Sequence, residues 1–192
     1  MEEVLDQPLI QTHEPNVRYG GFWPRFGALI IDGLVLAPIS FGLNFLNITT
    51  WKSSLLLLVL TLVSIAYKPF MEFVYGATLG KMAFDLKVVN LKFETASISE
   101  VLLRNAFNLV PSLLSLVVTL GVYQLSGFES VSGYGEYSEY LSSFTILETI
   151  NLVHGLLVVA DTIVLLADRN SRAWHDKIAR TCVIQKTQVH TA

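Results

Sequence analysis

Four long apolar runs constrain this chain more than any other feature. They extend from Phe22 to about Leu46, from Ser53 to Tyr75, from about Val101 to Ser126, and from Phe144 to Ala167. At 1.5 Å per residue each spans about 30 Å or more, the hydrocarbon thickness of a bilayer with some allowance for tilt. Helices in soluble cores rarely run so long. Composition agrees: 52% of residues are apolar and only 15% are charged, whereas a soluble domain carries about a quarter charged residues. The expected fold is an all-α membrane protein, a four-transmembrane-helix bundle in one domain.

Orientation follows from the Lys and Arg residues in the connections. Arg18 precedes the first run. Lys81, Lys87 and Lys92 lie between the second and third, and Arg169, Arg172, Lys177, Arg180 and Lys186 follow the fourth. The other two connections hold only Lys52. This asymmetry predicts cytoplasmic N and C termini and a cytoplasmic middle loop. The acidic start, Met1 to Asp6, has neither the basic region of a secretory signal nor the arginines of a mitochondrial presequence. The first run is therefore expected to act as an uncleaved insertion signal in a multi-pass cell-membrane protein, with the bacterial inner membrane as the expected setting. A net charge of −3 with no basic aromatic stripe argues against nucleic acid as a partner. Cys182 is the only cysteine, so no intramolecular disulfide can form. Residues 1–17 read as a disordered acidic tail, 18–186 as the membrane domain, and 187–192 as a flexible C-terminus.

Two connections carry more than linker chemistry. Residues 127–143 hold Phe128, Glu129, Tyr134, Glu136, Tyr137, Glu139 and Tyr140. They read as an interfacial aromatic belt with solvating charge, on a face that would attract cations. On the other side, Phe84 to Val89 and Thr181 to Ile184 are rich in β-branched residues and are predicted to pair as a small cytoplasmic β-ribbon. The stretch Gly76 to Lys81 is one residue short of a phosphate loop. Met82 also stands where a Ser or Thr would hold magnesium, so no nucleotide site is expected.

Ionisable residues within spans are costly, and they mark function unless they are simply paired. Here they are Arg25 and Asp32 in the first run, Lys68 and Glu72 in the second, Arg104 in the third, and Glu148, His154 and Asp161 in the fourth. Counted from the inner ends, Arg25 and Glu72 both lie about 4–5 Å deep, Asp32 about 15 Å and Lys68 about 10 Å. Arg104 lies about 4–5 Å deep and Asp161 about 9 Å. The expected pairs are Arg25 with Glu72, Asp32 with Lys68, and Arg104 with Asp161, in a neutral cluster near the inner leaflet. Neutrality is what makes such burial tolerable. One reading makes the cluster a cation or proton site centred on Asp32; the other makes it only a lock on helix register. His154 reads either as part of a proton relay or as a hydrogen-bonded packing residue, and Pro111 is expected to kink its helix. No catalytic constellation is present, so enzyme activity is not expected; neither is a cofactor or a metal.

Three stretches together resemble the RDD family of small membrane proteins, named for one Arg and two Asp. The first is Tyr19 to Asp32, with Arg25 and Asp32 in the family positions. The second is Gly76 to Met82 leading into Leu86 to Val89, followed by Leu103-Arg104-Asn105. The third is Trp174 to Val183, where Asp176 matches the second Asp. Arg180 departs from a usual Gly before the Thr. The resemblance implies the membrane fold. It also implies sodium/proton antiport, as in some members, or an assembly role in larger membrane complexes, as in others. The leading expectation is a homo-oligomeric cation/proton transport component in the lipid bilayer, with Asp32 carrying the ion and Arg25 and Lys68 setting its affinity. The runner-up is a non-transporting scaffold subunit, and a binder of lipid head groups comes third.

Overall fold

The computed structural model describes residues 17–186; the expectations for the two tails fall outside that range. Four helices are long and apolar enough to cross a membrane: Phe22–Leu46 (α1), Ser54–Tyr75 (α2), Ile98–Val122 (α4) and Thr145–Ala167 (α6). The protein is a multi-pass membrane protein. Three shorter helices punctuate the connections: Leu79–Ala83 (α3), Tyr134–Ser142 (α5) and Trp174–Ile178 (α7). Helix α1 continues into a π-helical turn, Asn47–Trp51.

The helix starts are legible in their caps. The Ser53 side chain accepts the Leu56 N–H at the start of α2. Ser97 and Glu100 form a reciprocal capping box on α4, which begins at Ile98, three residues before the expected Val101. Helix α2 ends at Gly76, whose φ of +72° is the left-handed conformation that favours glycine. Pro111 sits inside α4, and the helix continues through it to Val122.

The predicted ribbon is present. Leu86–Asn90 (β1) pairs antiparallel with Thr181–Gln185 (β2), with Val88 opposite Val183. The segment before α1 lies along its edge: Gly20 N–H donates to the Val183 carbonyl at 2.8 Å, and Gln185 N–H to the Arg18 carbonyl at 2.8 Å. Both described ends therefore meet on one side of the bundle, here called the ribbon side. Its small core comprises Ala28, Leu86, Val88, Ala96, Val101 and Val183. The far end has a separate core of Ile48, Leu57, Leu116, Val122, Tyr123, Phe128 and Val131. There the connection 127–143 folds as a cap instead of an open belt. Phe128 is 2% exposed and stacks on Tyr123 at 4.1 Å between centroids, and Tyr137 and Tyr140 pack against the same core.

Candidate functional site

The intramembrane charges do converge on the ribbon side, but with different partners from those expected. Glu72 is fully buried; one oxygen meets the Lys81 ammonium, and the other lies 3.3 Å from Arg104 Nε and accepts from Asn105 Nδ2 at 2.9 Å. Asp176 is also fully buried. Its Oδ2 accepts from Arg25 Nη1 at 2.6 Å and from the Ala173 N–H at 3.1 Å. Its Oδ1 meets the Arg104 guanidinium and accepts from the Thr181 hydroxyl at 3.4 Å. Arg104 thus bridges the two buried carboxylates.

None of the three expected pairs forms. Arg25 turns toward the C-terminal segment instead of Glu72. It also donates Nε to the Gly20 carbonyl at 2.8 Å and Nη2 to the Ser171 carbonyl at 2.7 Å. A charge swap between Arg25 and Glu72 is therefore not expected to restore either single variant. Depth along the helices was similar, but α3 and α7 fold back and deliver Lys81 and Asp176 as nearer partners.

Asp32 is not paired with Lys68 either. It accepts from the Tyr67 hydroxyl at 2.8 Å, the Thr78 hydroxyl at 2.6 Å and the Gly80 N–H at 2.7 Å. It holds α3 against α1. Gly80 makes the approach possible, since a Cβ there would overlap the Ala28 carbonyl.

Asp161, expected beside Arg104, accepts instead from His175: the backbone N–H at 2.9 Å and Nδ1 at 2.8 Å. Lys68 lies among Glu72, Arg104, Asp161 and Asp32. Among the described residues it forms no ion pair. Formal neutrality survives, because Lys81 and Asp176 add one charge of each sign. Burial, opposed by the Glu72 carboxylate, brings the Lys81 ammonium down to about 7. His175 falls to about 3, through burial first and then the nearby Arg104 charge, with Asp161 opposing.

His154 lies outside this network. Its Nε2 is 3.1 Å from Asn108 Oδ1, a hydrogen-bonded packing position. It also lines a cavity of about 330 Å³ between α2, α4 and α6, with Thr61, Ser112, Ser115, Thr119 and Asn151 around it and Tyr137 of α5 above. Apart from Glu148 in the first turn of α6, the spans thus carry hydroxyl and amide groups in one half and ions in the other. Sequence reasoning missed Lys81 and His175. Both sit on five-residue helices whose folding back leaves no periodic signal.

A family model described as the RDD family matches residues 19–180. The chain is also 36% identical over 87 residues to the uncharacterized membrane protein YteJ of Bacillus subtilis (strain 168), covering 38% of this chain and 51% of the relative. It therefore spans about half the length of that curated relative. No solved structure matches.

Proposed function

The chain belongs to the RDD family, and from that premise we propose that it is a small cation/proton transport component whose pathway lies between α2, α4 and α6. One observation carries the reading: polar side chains run in file through those three spans. The file starts at the cavity around Thr119, Ser115, Thr61 and Asn151 and passes His154 and Asn108. It reaches Lys68 and Asp161, which lie about 10 Å and 9 Å from the ribbon-side ends of their helices. It ends in the Glu72–Arg104–Asp176 network. A polar column of this kind inside hydrocarbon is costly and marks an ion path by default.

Within this reading Asp32 is a positioning residue, since its carboxylate is committed to α3. The exchangeable charge falls to Lys68, which is not locked to any single carboxylate, with Asp161 opposite. The ribbon side is the cytoplasmic side, by its excess of Lys and Arg. Asn108 and Asn151 are exposed within their spans. Lipid cannot satisfy such amides, which favours a homo-oligomer that covers them.

The scaffold reading is favoured by a different observation: Glu72, Asp176, Arg25 and Arg104 are all paired, as in a lock. Reconstitution in liposomes with a pH dye separates the two. A sodium gradient should drive proton flux that is lost in Lys68→Gln and Asp161→Asn and retained in Glu148→Gln. A folded, reconstituted protein that moves no protons would replace the transport reading with the scaffold.

A further inference from the structure

His175 occupies an unusual position for an imidazole. Both of its hydrogen bonds to Asp161 come from one residue, the backbone N–H and ring Nδ1. An ionised carboxylate only accepts, so Nδ1 carries the proton in that bond. In the neutral ring Nε2 is then a bare acceptor. Yet Nε2 is buried without a hydrogen-bond partner, and the nearest charged oxygen, Asp176 Oδ1, is itself an acceptor 3.5 Å away. An acceptor facing an acceptor in a low-dielectric pocket is a defect that one added proton removes.

We propose that His175 is a proton-binding site, taking its proton at Nε2 and donating it to Asp176 Oδ1. The incoming proton adds one positive charge to the pocket and breaks no covalent bond. The imidazolium then bridges Asp161 of α6 and Asp176 of α7, and these two carboxylates favour it. Two charges oppose it: Arg104 of α4, seated on the same Oδ1, and Lys68 of α2. Arg25 of α1 offsets the attraction of Asp176 by holding its other oxygen. Proton occupancy of His175 and the seating of Arg104 on Asp176 therefore exclude one another. The closed arrangement keeps the ring neutral, and withdrawal of Arg104 or loss of the Lys68 charge admits the proton. The same exclusion ties the ribbon to the spans, because Arg104 also donates to Thr181, the first residue of β2, at 3.2 Å.

The site deepens the transport reading by naming a proton carrier, but its test reads the proton directly. Full-length protein with ¹⁵N-labelled histidine is reconstituted in bilayers and titrated by solid-state NMR. The resonance lost in His175→Gln identifies the ring. The expected result is a neutral ring protonated on Nδ1 that gains its second proton on Nε2 at acid pH. In Lys68→Met the midpoint should rise by about one pH unit or more. A ring protonated on Nε2 at neutral pH would overturn the proposal, as would a midpoint that Lys68→Met leaves unmoved. If the titration holds while sodium-driven flux survives His175→Gln, the proton site stands and its use in transport fails.

Discussion

On the ribbon side, α1, α7, α4 and α2 are joined by directional bonds between buried ions: Arg25 to Asp176, Asp176 to Arg104, and Arg104 to Glu72. On the far side, α2, α4 and the 127–143 cap are joined by packed rings and aliphatic side chains around Phe128. Both ends must fix connections that cross from one helix to another. Packing tolerates any partner of suitable volume, whereas a buried ion tolerates only its complement. The ionic end therefore specifies one arrangement of segments far apart in sequence, and it can also respond to a proton. The aromatic end can do neither.

Removing a single partner from the ionic end is the hardest test of this contrast. Asp176→Asn leaves Arg25 and Arg104 buried around a neutral amide, which should cost about 3–5 kcal/mol. Folded protein recovered in mild detergent should fall accordingly. Normal yield and melting temperature would show that the ions are not what closes this end.

The matching change at the aromatic end is Phe128→Ala, which empties a fully packed site for about 3–4 kcal/mol. The sharper readout is how each variant depends on conditions. Phe128→Ala should shift thermal stability equally at every pH between 5 and 8, because its core neighbours are phenols and apolar side chains, with no carboxylate or imidazole among them. A pH-dependent loss in Phe128→Ala would erase the distinction between the two ends.

The wild-type protein should show the ionic end directly. His175 titrates near 3 in the fold, below its ordinary 6.5. The unfolded chain therefore binds that proton more readily between those values. The stabilising contribution is complete above pH 6.5 and is lost as pH falls toward 3. At pH 5 the loss should be about 1–2 kcal/mol. Melting curves of His175→Gln should lack this component. An unchanged acid slope in the variant would assign it to other groups.

The bundle was legible in the sequence because hydrophobic length is a one-dimensional signal. The ribbon was legible through its β-branched runs, and part of the charged cluster (Arg25, Glu72, Arg104 and Asp161) through the cost of burying ions. Partner choice was not. Helical depth put Arg25 level with Glu72, but two five-residue helices fold back and present Lys81 and Asp176 at shorter range. Nothing periodic marks so short an element. Asp32 carried the same kind of signal as Glu72, yet it binds hydroxyls and an amide, because Gly80 lets α3 come within reach. The 127–143 cap was hidden because its aromatic residues suit an interface and a small core equally well.

The smallest expected effect concerns Arg180, the residue that stands where the family usually has Gly. It links α7 to β2 with φ of +54°, a left-handed conformation that costs an L-residue about 1–2 kcal/mol. Its side chain is exposed, and it forms none of the ion pairs of the network. Arg180→Gly should therefore relieve the strain. The greater backbone freedom of glycine in the unfolded chain offsets part of the gain. A net stabilisation of about 0.5–1 kcal/mol is expected, together with slower amide exchange at Thr181 and Cys182. Because this turn places Asp176 and Thr181 beside Arg104, the gain should vanish in an Asp176→Asn background. A gain of equal size in both backgrounds would mean that the turn and the ionic end are energetically independent.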